Sequence, residues 1–195
     1  MMTDADVLFR SDGIRVIRLD PARDEPAVQA VFERCAAFNI VVEGRPPGPN
    51  AASEFFGMAP DGWRSEEIDK LGVYDRDGRM IGLLESVSGY PEPGVTHLGL
   101  LMLEPNARGR GLGADLYRAY EEWAASRGAE RIRLGVVADN EPGHRFWART
   151  GFIETSRTEP QAMGEKIQTI RVMVRDLSAS EAGTPPRAPS SGPAW

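Results

Sequence analysis

Cysteine is almost absent from this sequence, because Cys35 is the only one among 195 residues. A single cysteine excludes an intramolecular disulfide, so we expect a reducing, cytoplasmic setting. Cys35 also falls on the apolar side of a helical pattern and has no histidine nearby in the sequence. This placement favours a core position over a nucleophilic role.

Long hydrophobic runs are missing as well. No run of about 18 apolar residues occurs, so we expect no membrane span. The first residues, MMTDAD, are acidic and lack the apolar centre of a signal peptide. The formal net charge of −6 argues against a general affinity for nucleic acid, so we expect no nucleic-acid partner. An acidic chain with a local arginine pair instead suits a small anionic ligand and a cationic acceptor.

The residues that are present predict one domain with two tails. Residues 1–12 are expected to be loosely ordered, and residues 13–177 to form the domain. Residues 178–195, rich in serine, proline and alanine, are expected to form a disordered tail. Within the domain, the spacing of apolar residues predicts strand, helix, short helix, three strands, helix, strand, helix and two strands. Residues 158–168 are predicted to be a polar connection between the last two strands.

The most informative stretch joins an apolar strand, residues 95–104, to an amphipathic helix that begins near Gly111. Between them stands Arg108-Gly109-Arg110-Gly111-Leu112-Gly113. Glycines let backbone N–H groups approach a ligand, and the first N–H groups of a helix lack internal partners. The helix dipole adds partial positive charge there, and the two arginines add formal charge. The loop therefore predicts a ligand that carries phosphate, held at the start of the helix.

Three nucleotide-binding patterns compete for this loop. The P-loop pattern G-x-x-x-x-G-K-[ST] does not occur in the sequence. Gly109, Gly111 and Ala114 fit the dinucleotide pattern G-x-G-x-x-A, but too little chain follows for a doubly wound sheet. Arg108, Gly111 and Gly113 form R-x-x-G-x-G, which resembles the acetyl-CoA signature of the N-acetyltransferase superfamily abbreviated GNAT. A tight glycine turn with two solvated arginines is the remaining interpretation.

A second stretch carries the same resemblance. Asp139-Asn140-Glu141 leads into Phe146-Trp147-Ala148-Arg149-Thr150-Gly151-Phe152, which is similar to the family's N-x(5)-F-[YW]-x(3)-G-F helix. With the predicted order of elements, the resemblance covers about residues 13–177. It implies an α/β fold with a mixed, mostly antiparallel central sheet of six to seven strands flanked by helices. The strands on either side of the cofactor helix are expected to splay apart.

The resemblance implies that acetyl-CoA enters this splay, and it implies no metal. The implied binding residues are Leu101, Met102, Leu103, Arg108, Gly109, Arg110, Gly111, Leu112, Gly113, Asn140 and Trp147. The Leu101 N–H is expected to face the thioester carbonyl, as a donor of an oxyanion hole does. Asn140 is expected either to contact the pantetheine arm or only to cap its helix.

The implied activity is acetyl transfer from acetyl-CoA to a primary amine of a small molecule or peptide, by direct attack through a tetrahedral intermediate. Such an amine has a pKa of about 10, so it binds in its protonated form and must lose a proton before it attacks. His97, four residues before Leu101, is the preferred base, and Glu85 on the neighbouring strand is the rival. Trp147 stands where many family members have a tyrosine acid, so the general acid is left open.

The sequence leaves other questions open. A non-catalytic acyl-CoA sensor on the same fold is the alternative function, and a dinucleotide-binding module is a weaker one. The acceptor amine is not specified, because a fold does not choose among substrates. Three residues on predicted loops are candidates to line an acceptor pocket, namely Glu43, Trp63 and Tyr90, although surface or packing roles are the simpler interpretation. A homodimer also stays open.

Overall fold

The computed structural model describes residues 6–60 and 62–177. In this part of the chain an eight-stranded sheet has the strand order β1-β2-β3-β4-β5-β6-β10-β7, and β8 and β9 form a separate pair. The strands are Val7–Ser11 (β1), Ile14–Arg18 (β2), Asp69–Tyr74 (β3), Met80–Ser88 (β4), Val95–Leu103 (β5), Arg131–Val137 (β6), Ile153–Arg157 (β7), Gln161–Met163 (β8), Lys166–Gln168 (β9) and Ile170–Asp176 (β10). The helices are Pro21–Arg34 (α1), Ala36–Glu43 (α2), Ala51–Gly57 (α3), Leu112–Ser126 (α4) and Glu141–Arg149 (α5).

The sheet is mixed, because β5 and β6 run parallel while every other neighbouring pair is antiparallel. A parallel pair needs a crossover connection, and α4 provides it between β5 and β6. The predicted fold class, a mostly antiparallel sheet flanked by helices, is confirmed. The described sheet has eight strands rather than six to seven. Within the described residues, no helix is both long enough and apolar enough to span a membrane.

Helices cover both faces of the sheet. Leu83 and Leu84 are consecutive on β4 and therefore point to opposite faces, and both are fully buried. Leu84 belongs to the core that α4 covers, and Leu83 belongs to the core that α1 and α3 cover. On α4, Leu116 and Tyr120 lie one turn apart and are both fully buried. The two cores hold β4 and β5 in the middle of the sheet, where the site is built.

The prediction that residues 1–12 are loosely ordered is wrong for Val7–Ser11, which forms β1 and pairs with β2. Phe9 on β1 packs against Tyr120 and Trp123 of α4, with ring centroids 6.3 and 5.3 Å apart. These contacts join segments more than a hundred residues apart, so local spacing does not reveal them. Residues 1–5 and the predicted tail, residues 178–195, lie outside the described residues.

The prediction of a polar connection over residues 158–168 is also wrong in part, because β8 and β9 form a hairpin there. The hairpin is tied to the end of α2 by polar contacts. Gln168 Nε2 donates to the carbonyl of Val41 at 2.9 Å, and the N–H of Glu165 donates to the carbonyl of Glu43 at 2.7 Å. Polar residues that look solvated in the sequence thus satisfy carbonyls at the end of a distant helix.

Candidate active site

The parallel strands β5 and β6 separate part-way along their length. Their pairing runs from Val95 opposite Arg131 to Leu98 opposite Leu134, after which the strands diverge. Past this point β5 stays paired with β4, and β6 stays paired with β10. The splay predicted from the resemblance is therefore present. It leaves two facing strand edges with backbone groups directed into a gap.

Backbone N–H and C=O groups along β5 point alternately toward β4 and toward the gap. The N–H of Glu104 donates to the carbonyl of Ile81 at 2.9 Å, so Glu104 points its backbone groups toward β4. In an antiparallel pair this direction alternates, and Leu101 and Leu103 therefore turn their N–H and C=O groups toward the gap. Arg108 confirms the direction, because its Nε donates to the carbonyl of Leu103 at 2.7 Å. That contact already occupies one of the two carbonyls.

The glycine-rich loop places a set of backbone donors at the mouth of the gap. Gly109 and Gly111 both have φ of +84°, a conformation that side chains with a Cβ rarely adopt. Helix α4 begins directly after Gly111. The carbonyl of Gly111 accepts hydrogen bonds from the N–H groups of Ala114 and Asp115, at 2.9 and 3.1 Å. Within the described chain, the N–H groups of residues 109–113 have no backbone acceptor. They form the kind of cradle that binds phosphate oxygens.

A cavity of about 830 Å³ runs through the gap and joins the two faces of the sheet. Most of the binding residues expected from the resemblance line it, namely Leu101, Met102, Leu103, Arg108, Gly109, Gly111, Gly113, Asn140 and Trp147. Arg110 and Leu112 lie outside the wall. Arg110 is exposed, and Leu112 packs against the core under α4.

Asn140 has a definite structural role at one end of this cavity. It is the N-cap of α5, and its Oδ1 accepts a hydrogen bond from the N–H of Gly143 at 3.0 Å. An asparagine at this position satisfies a helix donor that has no internal partner. Of the two roles expected for Asn140, the structure therefore shows the cap.

The sequence did not predict most of the opposite half of the cavity. Its wall comes from α1, α2, α3 and β8, and includes Phe32, Phe38, Asn39, Val42, Glu43, Ala51, Glu54, Phe55, Met58 and Met163. Helical spacing showed that several of these residues belong to apolar faces, but not that the faces meet across a cavity. Of the three loop residues considered near an acceptor, Glu43 lines the cavity. Trp63 and Tyr90 instead pack on each other, with ring centroids 6.2 Å apart.

Glu85 contributes a buried carboxylate to the cavity wall. It is 3% exposed, and it accepts a hydrogen bond from Lys70 Nζ on β3. A Cβ added to Gly99, at the irregularity in β5, would lie 2.6 Å from Glu85 Oε1. Burial raises the pKa of Glu85, and the Lys70 ammonium opposes part of that rise. Glu85 is thus a carboxylate whose basicity is increased at the point where β5 opens.

His97 is equally buried but lies outside the cavity wall. Its ring packs edge-on against Tyr90, with centroids 5.8 Å apart, and its Nδ1 is 3.2 Å from Nη1 of Arg133. Burial, together with the nearby guanidinium charge, lowers the pKa of His97 to about 3. A ring with so low a pKa is a weak base. Of the two candidate bases, Glu85 lines the cavity and His97 does not. Which of the two acts as the base stays a prediction.

Comparison with known proteins now bears on this geometry. The sequence profile of the acetyltransferase (GNAT) family matches residues 45–152, which contain the gap, the glycine-rich loop and all of α5. The chain belongs to the GNAT acetyltransferase family. The resemblance first carried by two short signatures is thus confirmed over more than half of the chain.

Two curated relatives show how far the similarity of this GNAT chain extends. An uncharacterized N-acetyltransferase of Mycobacterium tuberculosis is 35% identical over 101 residues, which cover 52% of this chain and 63% of that protein. A mycothiol acetyltransferase of Mycobacterium avium is 33% identical over 99 residues, which cover 45% of this chain and 31% of that protein. The chain thus aligns with less than two thirds of the length of either relative.

Solved structures share the GNAT fold over nearly the whole domain. An acetyltransferase from Thermus thermophilus superposes with a TM-score of 0.65 at 22% identity, covering 85% of this chain and 97% of the other. A spermidine N-acetyltransferase from Vibrio cholerae, solved in complex with CoA and spermine, gives a TM-score of 0.66 at 16% identity, covering 86% and 97%. At these identities the similarity establishes the fold alone.

Proposed function

We propose that this protein is an N-acetyltransferase that transfers the acetyl group of acetyl-CoA to a primary amine of a small molecule or peptide. The observation that carries the proposal is one cavity with two chemically different ends. One end has backbone donors and arginine, which suit phosphate oxygens. The other end has the buried carboxylate of Glu85, which suits proton acceptance from an amine.

The donor end fits acetyl-CoA. The N–H groups of residues 109–113 suit its pyrophosphate, and Arg108 brings positive charge to the same loop while its Nε binds the Leu103 carbonyl. The edge of β5 at Leu101 suits an arm that contains amides, which pairs with it as an added strand would. When bound, acetyl-CoA supplies an acetyl group already activated as a thioester.

The chain's own residues then act on the reaction in two places. The Leu101 N–H donates to the thioester carbonyl oxygen, where a donor of this kind contributes about 3 kcal/mol by analogy with oxyanion holes. Glu85 accepts the proton of the amine, directly or through water. Within residues 6–60 and 62–177, no tyrosine lines the cavity. The reference pKa of a thiol is about 8.5, so the CoA thiolate is a good enough leaving group to depart without a general acid.

The acceptor end favours a cationic amine with an apolar body. The rings of Phe32, Phe38 and Phe55 line this end, and Glu43 and Glu54 bring carboxylates to it. Among the described residues, nothing forms an ion pair with Glu54. Relatives and structural neighbours are named for mycothiol and spermidine, which makes a thiol-containing amino sugar conjugate and a polyamine useful members of an acceptor panel.

Calorimetry with acetyl-CoA tests the proposal at its donor end. Gly111→Val places a β-branched residue at φ of +84°, and should abolish measurable binding by displacing the donor loop. Gly128→Val is the matched control, because Gly128 has φ of +90° at the far end of the same helix and open space around it. Equal affinities in the two variants would place the phosphates elsewhere, and no binding to the wild-type protein would end the proposal.

An acyl-CoA sensor on the same fold is the second candidate function. It is favoured by Trp147, which replaces the usual tyrosine and is packed edge-on against Tyr117 with ring centroids 5.4 Å apart. A thiol-release assay with a panel of aliphatic, aromatic and polyamine acceptors separates the two candidates. Release of CoA that depends on one class of amine supports the enzyme. Tight acetyl-CoA binding with no turnover of any amine supports the sensor.

A further inference from the structure

Lys70 lies directly behind Glu85 and outside the cavity wall. The two residues are opposed in the antiparallel pairing of β3 with β4, so their side chains project from the same face. Both side chains are about 95% buried, at 5% and 4% exposure. Glu85 therefore contacts the cavity, whereas Lys70 is not among the residues that line it.

Three contacts fix the position of the Lys70 ammonium. Besides Glu85, it donates to the carbonyl of Met58 at 2.9 Å and lies 4.7 Å from the centroid of the Phe55 ring. Met58 caps the C-terminal end of α3, where the helix carbonyls favour a cation. The Phe55 ring adds a cation–π contact. Helix α3 and strand β3 thus hold one positive charge against the carboxylate on β4.

A purely structural role explains this arrangement poorly. Removing two charges from water costs several kcal/mol per ion, and an apolar pair of the same size is often as stable or more stable. The pair stands instead where one partner faces a reaction cavity. Its asymmetry, with one partner on the cavity and the other held behind it, is what a base and its support require.

We propose that Lys70 is a positioning residue that holds the Glu85 carboxylate in its ionised form and aims it into the cavity. This inference rests on the proposed acetyl transfer and on Glu85 as its base. No bond to carbon forms or breaks at Lys70. The amine's proton passes to a Glu85 oxygen, and the ammonium keeps that oxygen available as a carboxylate before each turnover.

The charges around Glu85 make the consequence of removing Lys70 predictable. Burial raises the pKa of Glu85 and lowers the pKa of Lys70, and the attraction between the two opposite charges counteracts both shifts. The remaining titratable groups near this face are His97 on β5, Arg133 on β6, Glu54 on α3 and Glu43 on α2. His97 stays neutral near pH 7, and Arg133 contacts His97.

The test compares pH–rate profiles of the full chain for wild type, Lys70→Met and Lys70→Arg, with the best amine of the panel. Each rate is divided by the wild-type rate at the same pH, which removes the ionisation of the amine itself. We expect Lys70→Met to be at least tenfold slower at pH 7 and to return to within threefold of wild type by about pH 9.5. Lys70→Arg, which restores a cation, should stay within threefold throughout.

The controls separate this inference from the proposed function. Lys166→Met removes the only other lysine. Lys166 also binds a backbone carbonyl and a carboxylate, but these belong to Val41 and Asp139, at 3.0 and 3.2 Å. Its rate ratio should not change with pH. If the rate of Lys70→Met relative to wild type is the same at every pH, and Glu85→Gln is inactive, only the proposed role of Lys70 is overturned. Wild-type activity of Glu85→Gln overturns Glu85 as the base. If Lys70→Met does not fold, Lys70→Gln is measured in its place.

Discussion

Glu85 and His97 are two equally buried titratable residues on one face of the sheet, and their surroundings give them opposite chemistry. His97 is paired with Val87, which lies two residues from Glu85, so all three side chains project to the same side. Glu85 and His97 are each 3% exposed. Lys70 stabilises the charged form of Glu85, whereas Arg133 opposes the charged form of His97. Equal burial therefore does not distinguish the two candidate bases. They differ in the charge of the neighbouring residue and in whether they contact the cavity.

The largest expected effect comes from Glu85→Gln, which removes the proposed base and keeps its size. We expect kcat for amine acetylation to fall at least 100-fold, because general bases contribute about 10²- to 10⁴-fold. Affinity for acetyl-CoA, measured by calorimetry, should stay near that of wild type. Steady-state kinetics at the pH optimum provide the measurement.

Glu85→Gln also removes the only carboxylate that the buried Lys70 ammonium contacts among the described residues, and breaking a buried ion pair destabilises a protein by about 3–5 kcal/mol. The double variant Glu85→Gln/Lys70→Met is therefore the control for folding. It should be more stable than the single variant and equally inactive. A double variant that regains activity would mean that the single variant was merely misfolded, and it would break the contrast between Glu85 and His97.

The second effect concerns stability and belongs to His97. The pKa of His97 is 6.5 for the unfolded chain and about 3 in the folded protein, so the unfolded chain binds a proton that the folded protein excludes. Stability present above pH 6.5 is therefore lost as the pH falls toward 3. Between pH 6.5 and 5 the expected loss is about 2 kcal/mol of unfolding free energy.

Urea unfolding of wild type and His97→Gln at pH 6.5 and pH 5 measures this loss. The variant should lose less stability than wild type over the same interval. His144→Gln changes the other histidine of the chain, which lies 3.5 Å from Glu154 near the surface, and serves as the control. Identical pH dependence in wild type and His97→Gln would show that folding does not change the pKa of His97.

A smaller effect is expected from Gly99→Ala, which tests how closely Glu85 is positioned. The new methyl group would lie 2.6 Å from Glu85 Oε1, so the carboxylate must shift. We expect kcat to fall about tenfold, roughly 1.4 kcal/mol of barrier. Gly135→Ala crowds Ile170 at 2.8 Å on the other edge of the gap, away from Glu85. A larger loss of kcat in Gly135→Ala than in Gly99→Ala would argue against Glu85 as the base.

The smallest expected effect is that of His97→Gln on catalysis. Because His97 is packed against Tyr90 and Arg133 and lies outside the cavity wall, kcat/KM should change less than twofold at pH 7.5. The shape of the pH–rate profile should also be preserved. A loss of tenfold or more, with the fold intact, would restore His97 as the base and reverse the comparison.

The sequence by itself determined the family, the fold class and the local geometry of the proposed donor end. Glycines at a strand-to-helix junction and an asparagine before a proline and a helix are local signals, and local geometry follows from them directly. Gly109, Gly111 and Asn140 therefore stand where their sequence context predicts. The cytoplasmic setting and the question of a homodimer stay predictions.

Only the tertiary structure revealed the terminal strand and the observations behind the proposed base and the proposed acceptor end. Glu85 and His97 look alike in sequence, as polar residues on neighbouring strands, and what separates them is Lys70, Arg133 and the path of the cavity. The acceptor wall brings together α1, α2, α3 and the β8–β9 hairpin from distant parts of the chain. The pKa and accessibility of a side chain depend on charges and surfaces that folding brings near it, and local sequence does not encode those distances.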